Sequence, residues 1–400
     1  MRCPPVSETS LSTIQSPFPR LRDLIEGLKP GASPIDMTIG EPRHGVPSFA
    51  VDIIAEHWKS FSKYPPINGI AELRQAIAAW LTRRYALASG IVDPDRHILP
   101  LCGTREGLVS AMTLAAAKKN ARGAAVLMPN PFYQAYYAGA LTAGCEAVML
   151  PATAASGFLP DLDALDPRLL DRTAAFYIAS PANPQGVVAS PAYFERLIAL
   201  ARRHEFYVFS DECYSEIYQH EPPASALQVA AQTGDLNRVL VFNSLSKRSN
   251  APGLRSGFIA GDAGFLNDYL QYRNVACPQV PIPIQHASVA LWSDDAHAAE
   301  SRALYQAKFA AANEKLGGLP NYYEPAGGMF LWLDLSHLGG GVEAAKTIWK
   351  GCGVKVLPGA FLAQPDKRGF NPGDDYVRLA LVDPLDVTRD AVDRLASMLL

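Results

Sequence analysis

The sequence predicts an α/β fold, with a mainly parallel sheet flanked by helices in a large domain and a smaller α+β domain beside it. Three features carry that prediction: the length, a series of short apolar runs that stop at small or polar residues, and the amphipathic stretches between those runs. At 400 residues the chain exceeds the roughly 250–300 at which a single hydrophobic core stops growing, so two domains are expected. Hydrophobic residues make up 48% and charged residues 19%, which is enough apolar surface for a large core and excludes a disordered chain. The 36 Lys and Arg against 39 Asp and Glu give a formal charge of −3. That excludes a protein held to nucleic acid by general phosphate neutralisation.

The chain has no short internal repeat and no low-complexity segment. Residues 1–45, rich in Pro and Ser, are expected to form an arm that packs on the small domain. Residues 46–285 form the expected large domain and residues 286–400 the small one. From about residue 95 the punctuation is regular: Ala124–Met128 stops at Pro129-Asn130-Pro131, and Ala174–Ala179 stops at Ser180-Pro181. Phe206–Ser210 stops at Asp211-Glu212, and Val239–Phe242 stops at Asn243-Ser244. Continuous aromatic and β-branched runs of this length fit strands buried on both faces, as in a parallel sheet. Pro191–His204 between them has a helical pattern, with Ser190 as its N-cap. Strands alternating with helices imply right-handed crossovers. The last stretch reads differently, with shorter strands expected at Met329–Leu335, Val354–Leu357 and Tyr376–Leu381.

Six cysteines (Cys3, Cys102, Cys145, Cys213, Cys277 and Cys352) lie far apart, without CxxC or zinc-type spacing. This favours reduced thiols, and no metal site is expected. The opening MRCPPVSETS has no apolar signal region and no run of about 18 apolar residues occurs, so a cytoplasmic protein with no membrane partner is expected.

In open α/β sheets chemistry collects just past the carboxyl ends of the strands. There the sequence places Asn183, Asp211, Tyr214, Ser244 and Lys247. Lys247 and Arg255 stand among Ser244, Ser246 and Ser249, with Gly253 and Gly257 allowing close backbone approach. Short hydroxyl donors beside a planar guanidinium fit a phosphate dianion. A desolvated lysine next to another cation has a lowered amine pKa, which a Schiff-base nucleophile requires. A carboxylate such as Asp211 can hold a pyridine nitrogen protonated, making the ring an electron sink. Asn183 can donate to a ring oxygen, and so can Tyr214. Gly103, Thr104 and Arg105 open an Ala-rich helix whose free N–H groups suit a phosphate. Tyr133 offers an aromatic face for a flat ring. Each has a plain structural alternative: a basic surface loop, a helix N-cap, a Pro-rich turn, a helix start or core packing. Together, at successive strand ends, they point to pyridoxal 5′-phosphate.

The run SLSKRSNAPGLRSGF, with DECY and NPQG upstream and YVRLA downstream, resembles the class I/II aminotransferases of pyridoxal-phosphate fold type I. The resemblance extends from Ile39-Gly40-Glu41-Pro42 through Arg378. Within that superfamily IGEPRH, LCGTREGL, PNPFYQAY, SDECYSEIY, VLPG and NPGDDYVRLALV are most similar to bacterial N-succinyldiaminopimelate aminotransferases of lysine biosynthesis. The resemblance implies that Lys247 carries the cofactor and moves the proton, that Asp211 pairs the ring nitrogen, and that Asn183 and Tyr214 bind the ring oxygen. It implies a phosphate cup of Ser244, Ser246, Arg255 and the amides of Gly103, Thr104 and Arg105, with Tyr133 stacked on the ring. It further implies that Arg378 clamps the substrate α-carboxylate and that Gly40 lies against the substrate. Tyr64 is implied to reach the partner's phosphate across a homodimer. The substrates implied are an amino acid and a 2-oxo acid. Aspartate-specific members add an arginine for the distal carboxylate. Asn274–Pro283, near where a substrate loop is expected, has none, which leaves Arg20, Arg22, Arg43 and Arg273 as contributors. Competing readings are an aspartate, alanine or aromatic aminotransferase, a carbon–sulfur lyase on the same frame, a ligand-sensing domain such as those fused to bacterial regulators, and a non-enzymatic scaffold.

Overall fold

The computed structural model describes residues 16–400; Cys3 and the start of the arm lie outside that range. The strands are β1 (Ile35–Asp36), β2 (Ile98–Leu101), β3 (Ala125–Asn130), β4 (Glu146–Pro151), β5 (Thr173–Ala179) and β6 (Tyr207–Asp211). They continue with β7 (Val239–Ser244), β8 (Gly257–Gly261), β9 (Phe330–Asp334), β10 (Val354–Lys355), β11 (Leu357–Pro358) and β12 (Tyr376–Ala380). A seven-stranded sheet runs β2-β8-β7-β6-β5-β3-β4. Only β8 is antiparallel to its neighbours. The parallel strands β3, β5, β6 and β7 are buried almost throughout, because helices cover both faces. On one face Leu127, Phe176, Val208 and Val241 join Phe194 and Leu197 of the helix Pro191–His204. On the other, Val126, Tyr177, Phe209 and Phe242 join Leu108 and Met112 of the helix Thr104–Lys119.

Helix Pro191–His204 has the predicted bounds, and the Ser190 hydroxyl accepts from the Tyr193 N–H at its start. The strands outrun the apolar runs that announce them. The ladder continues through Asn130, Asp211 and Ser244, since backbone pairing does not require an apolar side chain. Val354–Leu357, expected as one strand, divides at Val356. Val354–Lys355 pairs in parallel with β1 of the arm, and Leu357–Pro358 pairs with β12.

The three-stranded antiparallel sheet β11-β12-β9 is covered by the helices Gly341–Cys352 and Leu385–Leu399, which share one core with Leu331, Val377 and Leu379. The arm helix Pro17–Ile25 sets Leu21 among Trp332, Leu357 and Leu362. The helix Ile282–Ser293 places Ala287, Leu291 and Trp292 in the large-sheet core beside Leu73 and Trp80, so a boundary at 286 would cut through it. The next helix, Ala296–Leu316, bonds Ser249 and Asn250 near its start and ends among small-domain side chains, including Phe309 and Leu316. We propose that the division runs through this helix. The described cysteines are all free. Among the described residues no helix is long and apolar enough to cross a membrane, and no His/Cys/Asp/Glu group could hold a metal.

Candidate active site

Sheet register brings the sequence-predicted residues to one edge. Ala179 pairs with Asp211 and Asp211 with Phe242, so β5, β6 and β7 end side by side. Leu101 and Ser244 both pair with Gly257, from opposite sides. The loop after β2, the turn after β7 and Arg255 before β8 therefore meet. Gly257 permits this closeness, because a Cβ there would lie 2.6 Å from the Asn243 carbonyl oxygen.

That meeting point is rich in unused donors. Gly103, at φ +79°, caps the helix Thr104–Lys119 without a side-chain bond, so the first N–H groups of the helix are free for an anion. A Cβ on Gly103 would lie 2.2 Å from Nη2 of Arg255, so the missing side chain is where the guanidinium sits. Arg255 donates to the carbonyls of Pro252 at 2.9 Å and Cys102 at 3.4 Å and has no acid partner among the described residues. The Ser244 hydroxyl accepts from the Ser246 N–H at 3.3 Å, which caps the short helix Leu245–Arg248 and leaves its own proton to donate. Thr104 Oγ1 lies 3.2 Å from Cys213 Sγ.

Lys247, on that helix, is partly buried, and its Nζ donates to the Gly40 carbonyl at 2.5 Å. Gly40 approaches so closely because it lacks a Cβ, which would stand 2.4 Å from the Phe330 ring. Burial pulls the Lys247 amine down to about 8, with Arg378 and Arg105 pulling the same way. The neutral amine is the nucleophile and predominates above that value. Covalent loading of the cofactor-free protein is therefore expected to accelerate from about pH 6 to about pH 8.5 and then level off. Stopped-flow absorbance checks this; a rate still climbing through pH 10 would show an unperturbed amine.

Asp211 is buried at 8% exposure, and burial raises its proton affinity while the Lys247 charge and hydrogen bonds oppose the rise. Its Oδ1 accepts from the Cys213 N–H at 3.3 Å and its Oδ2 from the Tyr136 hydroxyl at 2.8 Å. Each oxygen keeps a second acceptor position. Arg378 is buried at 5% exposure, and burial lowers its guanidinium to about 10. It donates to Asn183 Oδ1 at 3.0 Å and the Thr38 carbonyl at 2.7 Å, while its Nε has no partner. No carboxylate pairs with it among the described residues. A buried cation without an anion is costly, so the site is set up to receive one. Because Arg378 donates to Oδ1, the Asn183 Nδ2 group is left to donate to anything bound in the cleft. The Tyr214 ring lies 5.9 Å from Lys247 Nζ. Tyr133 accepts from Arg105 Nε at 2.7 Å.

Tyr64 does not join these residues: it is 98% exposed. The arginines considered for a distal carboxylate are engaged elsewhere. Arg22 pairs with Asp23, Arg43 with Asp383, and Arg273 with Glu106 inside the fold. Arg20 lies over the Phe361 ring at 4.0 Å. Two contributors escaped the sequence reading. Thr38 acts through its backbone, which no residue type announces. Tyr136 had a signal, since it lies in the first turn of the helix that Tyr133 caps, and the two rings meet edge-on at 5.6 Å.

A free helix terminus with hydroxyl and guanidinium donors, an amine, a buried carboxylate and an unpaired guanidinium fit phosphate, aldehyde, ring nitrogen and an α-carboxylate respectively. The fold and this donor set define a pyridoxal-phosphate enzyme. The family profile for aminotransferases of class I and II matches residues 32–381, and the chain belongs to that family, whose cofactor is pyridoxal phosphate. It is 30% identical over 386 residues, 94% of each chain, to an LL-diaminopimelate aminotransferase of Moorella thermoacetica. Among solved structures it resembles an aminotransferase of Neisseria meningitidis, with TM-score 0.91, 37% identity and coverage of 96% of this chain and 98% of that one. A probable N-succinyldiaminopimelate aminotransferase of Thermus thermophilus is also similar, with TM-score 0.82, 25% identity and coverage of 96% and 100%.

Proposed function

We propose that this aminotransferase takes its amino group from a diaminopimelate-type donor, N-succinyl-LL-2,6-diaminopimelate, and passes it to 2-oxoglutarate, yielding glutamate. The observation that carries the amino-acid reading is Arg378, a buried guanidinium free of any carboxylate and close enough to Lys247 to lower its amine. Free LL-diaminopimelate is the second reading, favoured by the name of the Moorella thermoacetica relative. We take the enzyme to work as a homodimer in the cytoplasm.

Pyridoxal phosphate, when bound, supplies an aldehyde that bonds amines and a pyridinium ring that accepts the electrons of a broken Cα–H bond. Ser244, Ser246, Arg255 and the amides of Gly103, Thr104 and Arg105 would hold its phosphate. Asp211 would keep the ring nitrogen protonated, Asn183 and Tyr214 would donate to the ring oxygen, and Tyr133 would offer its aromatic face to the ring. Arg378 grips the donor's α-carboxylate with N–H groups that Asn183 and Thr38 leave free, and Gly40 lies along the same substrate. So oriented, the donor presents its Cα proton to Lys247. The amine of Lys247 acts as general base because burial holds it near neutral pH. Once it holds that proton, the Lys247 ammonium would serve as the general acid of the reverse half-reaction. The second oxo acid uses the same Arg378 in reverse, so the kinetics are ping-pong.

Distal recognition falls to Arg105. It is exposed, bonded to Tyr133, and near enough to Lys247 to affect its charge. Arg105→Ala is expected to raise KM for diacid donors roughly ten-fold and leave alanine unchanged. Half-reactions followed by cofactor absorbance, with succinylated and free diaminopimelate, aspartate, alanine and an aromatic donor, test the whole reading. Faster conversion by succinyldiaminopimelate supports it, preference for the free form favours the second reading, and conversion by neither overturns both. Pyruvate released from cystathionine without an oxo acid would instead identify a carbon–sulfur lyase.

A further inference from the structure

Asp211 must stay ionised in a site where burial works against its charge, and few groups help it. Its donors are the Cys213 N–H at 3.3 Å and the Tyr136 hydroxyl at 2.8 Å, of which the second is the better hydrogen bond. Tyr136 is 1% exposed. Its ring lies flat on Tyr177, with centroids 4.5 Å apart and planes 9° apart, and stands edge-on to Tyr133 at 5.6 Å and 90°. That packing fixes the direction of the hydroxyl. Burial and the neighbouring Asp211 hold the phenol well above its usual range, so it carries its proton and donates. Tyr177 itself points elsewhere, its hydroxyl donating to the Leu108 carbonyl at 2.6 Å.

We propose that Tyr136 is a positioning residue that sets how the proton is shared between Asp211 and the ring nitrogen of the bound cofactor. The inference rests on the reading that Asp211 faces that nitrogen. A donor on Oδ2 makes the carboxylate a weaker base, and a weaker base leaves the shared proton on nitrogen, where the ring works as an electron sink. Without the hydroxyl, Asp211 becomes more basic and draws the proton away from the ring. The same bond fixes the plane of the carboxylate, so its remaining acceptor positions keep one direction.

The test is nitrogen NMR on protein loaded with pyridoxal phosphate isotope-labelled at the ring nitrogen. In the unaltered protein the shift is expected in the protonated range. Tyr136→Phe, which keeps both ring contacts, is expected to move it towards the unprotonated value and to lower kcat roughly ten-fold with little change in KM. Tyr136→Gln, which retains a donor, is expected to fall between the two. Tyr177→Phe, which removes a hydroxyl from the same stack but not from Asp211, is expected to leave the shift unmoved. Identical shifts in Tyr136→Phe, Tyr136→Gln and the unaltered protein overturn the inference while leaving the function standing. Failure of the unaltered protein to bind the labelled cofactor overturns the function and this inference with it.

Discussion

Lys247→Ala is expected to lower transamination by at least ~10⁴-fold and to abolish the absorbance band of lysine-bound cofactor, while leaving non-covalent cofactor binding in place. The magnitude follows from the roles that converge on one nitrogen. In the proposed mechanism the amine bonds the cofactor, removes the Cα proton and returns it, and no second lysine is among the charges that act on Lys247. Arg105 and Arg378 are the other nearby cations, and guanidinium groups stay protonated. The proposed phosphate donors around Gly103, Ser244 and Arg255 are untouched by the change, so titration with cofactor should still saturate. A variant that keeps the band or most of its turnover would remove the chemical basis of the reading. The same variant tests the shared site. Tyr64 projects into solvent at 98% exposure, so its proposed role belongs to the neighbouring copy. Mixing Lys247→Ala chains with Tyr64→Ala chains creates dimers in which one site has both residues. The mixture should then exceed the mean activity of the two variants alone, approaching roughly a quarter of normal turnover. Equality with that mean would place both residues in one chain or make Tyr64 irrelevant.

Much of the site was legible because its chemistry needs unusual residue types at the ends of apolar runs. Asp211 and Lys247 stand where a buried strand stops, a place that would otherwise favour small neutral residues, and the parallel register then does the work of bringing them together. The proposed phosphate cup was legible in composition but not in geometry. That Leu101 and Ser244 both pair with Gly257 is a long-range fact that no local pattern encodes. The same limit explains the strand expected at Val354–Leu357. Its apolar residues announce burial, yet whether they pair with the arm or with β12 is decided by tertiary contacts. The boundary expected between 285 and 286 falls inside the helix Ile282–Ser293 for a related reason. Its apolar residues fit either core, and Trp292 finds Trp80 and Phe258 only once the chain is folded. The arginines considered for a distal carboxylate could not be ranked from the sequence, because charge alone does not tell a ligand from an ion pair. Arg273 is spent on Glu106, whereas Arg105, first considered for its amide, has no acid partner among the described residues.

Arg378→Lys is expected to reduce kcat/KM roughly 10²-fold, chiefly through KM for both donor and oxo acid, without changing cofactor loading. The substitution keeps a positive charge, so the size of the effect depends on geometry. The guanidinium now does two jobs within the protein, fixing the Asn183 amide at 3.0 Å and the Thr38 carbonyl at 2.7 Å, and still has N–H groups left, Nε among them. A lysine ammonium is a point donor without that planar fork. It can keep the two protein contacts or turn to the substrate, but it cannot hold a carboxylate in two parallel bonds at the same time. Losing the bond to Asn183 also frees the amide to rotate, so part of the loss should appear as altered absorbance of the bound cofactor even without substrate. A solvated surface arginine would behave otherwise, with both constants unchanged and no spectral response. That outcome would move the α-carboxylate away from β12. The contrast is sharp because Arg378 is 5% exposed and has no acid partner among the described residues. On the proposed reading, the charge left uncompensated in such a place is met by an anion that arrives with the substrate, and both half-reactions bring one.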